Sequence, residues 1–147
     1  PIYPEDQWSR WRVDDFETRD RLPERWQQPD FDDSSWDETT LPTVWRPGHT
    51  AVLRTTFEVK DANALESLTV RAHTYKITDL KVYLNGHVVA KSNAMGGGVG
   101  FKLTPYATTL LKNGVNTLAV SAEHGMRWVD FSFRLEGHLK SKQVAGK

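Results

Sequence analysis

From residue 51 onward, apolar and polar side chains alternate with a period of two in run after run, and no other feature constrains the fold of this chain as tightly. Leu53, Thr55, Phe57 and Val59 fall on one side of an extended segment, with Arg54, Thr56 and Glu58 on the other. Leu68, Val70, Ala72 and Thr74 repeat the pattern against Thr69, Arg71, His73 and Tyr75. Leu80, Val82 and Leu84 follow, then Val88 and Ala90 or their neighbours, Phe101 and Leu103, and Leu118, Val120 and Ala122. Val129, Phe131, Phe133 and Leu135 close the series, leaving Trp128, Asp130 and Arg134 on the opposite side. Such alternation marks half-buried strands, with one face in a core and the other in water or against a partner.

Turn formers separate these runs at Lys60-Asp61-Ala62-Asn63, Asn85-Gly86, Lys112-Asn113-Gly114 and His124-Gly125. Asn85-Gly86 predicts a two-residue hairpin, because both central positions need positive φ and these two residues tolerate it best. Asn93 to Gly98, with three consecutive glycines, reads as a loop that carries the chain between sheets. The spacing predicts an all-β, antiparallel β-sandwich with one short helical turn or two over Pro105 to Leu111.

The 147 residues suffice for one domain with its own core. A single sandwich over 1–147 is expected, with an arm at 1–25, the core at 26–137 and a polar tail at 138–147. The start Pro1-Ile2-Tyr3-Pro4 carries no signal peptide, so a domain cut from a longer protein is expected. Nineteen basic residues balance nineteen acidic ones, which gives no field that draws nucleic acid or an anionic membrane. No apolar run approaches the roughly 20 residues of a membrane-spanning helix. Cysteine is absent, which excludes disulfides and thiolate chemistry but leaves the compartment open.

The lead-in "WQQPDFDDSSWDETTLPTVW" differs from the rest: periodicity is weak and turn formers abound. Asp32 or Asp33 before Ser34-Ser35-Trp36 predicts a capped helical turn, with Phe31, Trp36 and Leu41 covering an end of the sandwich. Trp26 and Trp36 read as core, and Trp8 and Trp11 as staples for the arm or contacts to a preceding domain.

Several catalytic signatures fail. "GGGVGFK" lacks the helix that must follow a phosphate loop, since Phe101-Lys102-Leu103-Thr104-Pro105 reads as a strand ended by proline. The five histidines stand at no metal-ligand spacing, and no nucleophile elbow is present. Asp14-Asp15 and Asp32-Asp33 are adjacent carboxylates, but adjacency does not make the cleft that glycoside cleavage needs, and caps and solvated turns explain them.

Four stretches carry a family likeness. "PDFDDSSWDETTLPTVW", "LRTTFEV", "ITDLKVYLNGHVVAKS" and "LTPYATTLLKNGVNTLAVSAE" resemble, in that order, segments of the sugar-binding domain that precedes the catalytic barrel in family 2 glycoside hydrolases. The resemblance covers roughly Trp26 to Gly137. It implies a galactose-binding-domain-like jelly roll acting as a non-catalytic carbohydrate-binding or accessory domain. The implied partners are a glycan and an adjacent catalytic domain, and the implied location is extracellular or periplasmic. The family's usual Tyr-Arg is Leu53-Arg54 here, and the stretch after Val120 is short. The catalytic glutamates of the family lie in the barrel and have no counterpart in this chain. No cofactor is implied beyond a structural calcium, for which Asp30, Asp32 and Asp33 offer hard oxygen ligands; capping explains the same residues without a metal.

In the resembled fold three connections meet at one end. They supply Trp45, Arg46 and His49, then Asn93 and Met95, then His124, Arg127 and Trp128. Trp45 and Trp128 would stack on sugar faces, while Arg46, His49, Asn93 and Arg127 would bond to hydroxyls. The alternative is a structural or interdomain module with no ligand of its own. In that case Tyr75, Tyr83, Trp128 and the N-terminal tryptophans form a dry interface with a neighbour.

Overall fold

The computed structural model describes residues 11–40, 48–92, 95–124 and 132–140, and within these it gives backbone only for 72–78, 92, 95–101, 124, 132–134 and 139. The described residues form eight strands and one short α-helix. They are β1 (Trp11–Phe16), β2 (Asp37–Thr39), β3 (Thr50–Val59), β4 (Leu65–Leu84), β5 (His87–Ser92), β6 (Met95–Lys102), α1 (Pro105–Thr109), β7 (Gly114–His124) and β8 (Ser132–Leu139). Every strand pairing is antiparallel. The chain is an all-β sandwich, as the alternation predicts.

The long strand β4 belongs to both layers. Its second half lies in the front sheet, ordered β2-β1-β3-β7-β4-β5, and its first half pairs with β6 and β8 to make the back sheet. The register slips between Thr74 and Ile77 and again between Ile77 and Asp79. Such irregularities bend a strand, and here they let one strand turn from one layer into the other.

Between the layers lies the core. Leu53, Phe57, Val82, Leu84, Leu118 and Val120 of the front sheet meet Leu68, Val70 and Leu135 of the back sheet. Ala107 of α1 and Leu111 close one side. Trp11 sits in the same cluster at 2% exposure. Residues 11–16, read from sequence as part of an arm, are therefore a paired strand between β2 and β3. His138 and Leu139 likewise belong to β8, and the Lys140 amide donates to the Ala64 carbonyl.

The Asn85-Gly86 hairpin forms as predicted, with φ of 49° and 91°. Asn85 does more than turn. Its Nδ2 donates to the Leu110 carbonyl and to Asn116 Oδ1, and its Oδ1 accepts from the Thr117 amide. Asn116 is wholly buried; its Oδ1 also accepts from the Lys112 amide, and its Nδ2 donates to the carbonyls of Lys112 and Gly114. A buried amide is tolerable only when satisfied in this way.

Two expectations need correction. The glycine-rich stretch is mostly strand, not loop: β6 begins at Met95, and Gly97, Gly98 and Gly100 stand opposite Thr74, His73 and Arg71. The unpaired backbone of β4 supplies the partners, and a ladder needs backbone groups rather than side chains. Nor does the lead-in cover an end of the sandwich. Trp26 and Trp36 pack with Val52 and Ala119 on the outer face of the front sheet, joined by Phe16, Leu22, Phe31 and Tyr83. The small apolar outward positions on β3 and β7 make that face worth covering. Ser34 and Ser35 do form a capped turn: Asp32 Oδ1 accepts from the Ser34 amide at 3.0 Å, and the Trp36 amide donates to the Asp33 carbonyl.

Candidate functional site

The registers bring the strand ends that border the named connections to one end of the sandwich. Thr50, the first residue of β3, stands opposite Glu123 of β7. The next residue, His124, pairs with Ile77, and Ile77 pairs on its other side with Met95. Leu80 faces Ser92, where β5 ends. The end of β7, the start of β6 and the bend of β4 thus share one rim, with His49 just before Thr50. Trp45, Arg46, Asn93, Arg127 and Trp128 lie outside the described residues, and of Met95 and His124 only the backbone is described.

Polar contacts line this rim. His49 Nδ1 lies 3.1 Å from Asp15 Oδ1, both side chains being partly buried. Thr50 Oγ1 donates to Glu123 Oε1 at 3.0 Å. Arg19 reaches in from the lead-in: its Nη2 is 2.9 Å from Asp79 Oδ2 and 3.4 Å from Glu123 Oε2, and its Nη1 donates to Ser121 Oγ. Nη2 is sealed from water and held there by charge, without a well-angled hydrogen bond. Beside this network, burial pushes the Tyr83 hydroxyl up from its ordinary pKa, Arg19 pulls it down by a smaller amount, and Asp79 adds slightly to the rise.

Sequence reading found His49 but not Arg19, Asp79 or Glu123. Alternation places Asp79 and Glu123 on outward positions, and the register makes them neighbours across β4 and β7. Arg19 joins them only through the path of the lead-in, which has no periodic signal. The chemistry of the rim is hydrogen bonding and charge.

The three aspartates weighed for calcium are engaged separately. Asp30 bonds Arg25, Asp32 accepts from the Ser34 amide, and Asp33 bonds Arg54. The ordinary pKa of Asp32 is lowered, first by the Ser34 side chain and then by its amide. Among the described residues no three His, Asp or Glu side chains converge as a metal site would require.

Arg54 shows why the lead-in lies where it does. The alternation puts it outward, yet it is 4% exposed. Nε donates to Asp33 Oδ2 at 2.7 Å, Nη1 to the carbonyls of Trp26 and Gln28, and Nη2 to that of Phe31, whose ring lies beneath the guanidinium. One planar fork thereby fixes four points of an irregular segment.

Sequence comparison matches the chain to no family model and to no curated protein. Solved structures do match. A β-glucuronidase from glycoside hydrolase family 2 superposes with a TM-score of 0.59 at 16% identity, over 86% of this chain and 17% of that one. A family 2 glycosyl hydrolase from Bacteroides cellulosilyticus gives 0.55 at 19%, over 86% and 20%. The β-glucuronidase of Bifidobacterium dentium gives 0.57 at 18%, over 78% and 19%. The chain thus spans a fifth or less of the structures it resembles, and it shares the fold of a β-domain within them.

Proposed function

We propose that this chain is a non-catalytic accessory domain of a glycoside hydrolase-like protein, and that the rim around His49, Thr50 and Glu123 faces a glycan, either alone or together with an adjacent catalytic domain. The observation that carries the reading is the double pairing of Ile77, which sets the starts and ends of the named connections side by side. The fold is that of one part of much longer carbohydrate-cleaving enzymes, which supports an accessory role. Asp15, His49, Asp79 and Glu123 provide the planar polar groups that sugar hydroxyls pair with. Trp45 and Trp128 are proposed as the stacking platforms, with Arg46, Asn93 and Arg127 beside them. An extracellular or periplasmic location belongs to the same proposal.

A broad glycan panel on the 147-residue chain, read by tryptophan fluorescence, tests it. Binding that His49→Ala or Trp128→Ala abolishes supports the reading. No binding, with unchanged emission across the panel, sinks glycan binding by this domain alone. The rival docking role loses one of its named residues: Tyr83 is partly buried and meets Trp26 edge-on at 5.3 Å between ring centroids.

A further inference from the structure

A groove of about 330 Å³ opens on the front sheet where β1, β2 and β3 run beside the Asp33 turn. In the register Arg12 stands opposite Glu38 on one side and Arg54 on the other, so three charged residues cross the sheet in a row. Two guanidinium groups directly opposite one another repel unless each is compensated. Arg54 is: Asp33 and three carbonyls hold it, with its side chain 5% exposed. Arg12 is held more loosely. Its Nη1 donates to the Trp36 carbonyl, while Nη2 stays 3.9 Å from Glu38 Oε1, beyond hydrogen-bond length. The Arg12 and Glu38 side chains are 37% and 61% exposed and form the rim.

We propose that this groove binds a neutral saccharide unit. Arg12, Arg54, Asp33 and Glu38 sum to zero formal charge, so the groove selects neither anions nor cations. What it offers is one donor beside one acceptor: Arg12 Nη2 and the Glu38 carboxylate face each other at 3.9 Å, with the exposed Thr56 alongside. Adjacent hydroxyls, each both donor and acceptor, can bridge such a pair. The volume is at the small end of ligand sites, which suits one or two rings. Arg54 is fixed by the lead-in, so part of the site is organised before any ligand arrives. The groove is separate from the rim described above: Arg54 lies four residues along β3 from Thr50, roughly 13 Å away. It therefore stands or falls independently of that reading.

Amide NMR titration of the 147-residue chain with neutral mono- and disaccharides, and with a uronate for comparison, tests the proposal. Shifts at Arg12, Glu38, Thr55 and Thr56 with weak, saturable binding are expected. Glu38→Ala should weaken it by about tenfold, the loss of one charge-assisted hydrogen bond, and Thr56→Val should weaken it less. His49→Ala should leave these shifts unchanged. Absence of shifts at those amides overturns the proposal, as do shifts that survive the Glu38→Ala, Thr56→Val double variant or binding of the uronate alone. Shifts confined to His49, Thr50 and Glu123 overturn it while favouring the rim.

Discussion

On the front sheet the outward side chains of β3, β7 and β4, namely Val52, Ala119 and Tyr83, lie beneath Trp26 and Trp36. On the back sheet two outward side chains of β4 meet neighbours on β8: Thr69 Oγ1 is 3.0 Å from His138 Nε2, and Arg71 Nε donates to Glu136 Oε1 at 3.2 Å. Both faces belong to strands with the same alternation. They differ in what the outward positions carry. Small apolar residues at Val52 and Ala119 gain from apolar cover, whereas the buried hydroxyl of Thr69 and the half-exposed Arg71 are satisfied by polar side chains of β8. Alternation therefore fixes which face is inward and says nothing about whether the other face meets water. The composition of the outward set decides that.

Arg54→Ala is the strongest way to break this contrast. It would strand Asp33 and the carbonyls of Trp26, Gln28 and Phe31 around an empty space. A loss of about 3 to 5 kcal/mol is expected, as for the removal of one partner from a buried ionic contact. Trp26 and Trp36 emission should shift to the red as the lead-in loosens. Arg54→Lys should recover only part of the stability, because an ammonium cannot span four acceptors in one plane. Denaturant titration followed by tryptophan fluorescence checks both. A loss below about 1 kcal/mol, within the range of an exposed ion pair, would mean that burial of the two tryptophans holds the segment unaided.

Most strands from residue 50 on, the Asn85-Gly86 turn and the short helix were legible in the sequence because each depends on local chemistry: alternation, positive φ, or proline at a helix start. β1 and β2 lie before the alternation begins and were not. The Gly114-Val115-Asn116 stretch was legible as a motif, and its reason is structural, since Asn116 ties the turn at Lys112 and Gly114 to the hairpin at Asn85. Two further features were not legible. Gly97 and Gly98 look like a loop because glycine carries no alternation, and only the free edge of β4 makes them strand. Arg54 looks solvated because its partners are backbone carbonyls 23 to 28 residues away, and carbonyls leave no trace in sequence. Of the rim, sequence offers His49 beside the first residue of β3, whereas Arg19 and Glu123 meet across 104 residues of chain (123 − 19).

Tyr83 sharpens the contrast through pH. Burial beneath Trp26 raises its pKa above the ordinary 10.0. The folded state therefore keeps the hydroxyl proton where the unfolded chain would lose it. This contribution is fully present below pH 10.0, the unfolded value, and is lost as pH rises through the folded value. Tyr83→Phe should flatten part of the alkaline fall in melting temperature while changing little near neutrality. If wild type and variant fall in parallel above pH 10.0, the hydroxyl is not shielded by the lead-in.

The smallest effect is expected on the back sheet, and it completes the comparison. Arg71 is 52% exposed along its side chain, while its partner Glu136 is 12% exposed. With the cation half in water, such a pair contributes about 1 kcal/mol or less, and salt screens it. Arg71→Ala should cost no more than that, and raising the ionic strength should shrink the difference from wild type. Tryptophan emission should not move, because Trp26 and Trp36 lie on the other sheet. A loss as large as that of Arg54→Ala, or one indifferent to salt, would mean that the back face is also closed over, by a contact that Arg71 anchors. The two outer faces would then differ in which segment covers them rather than in whether they are covered.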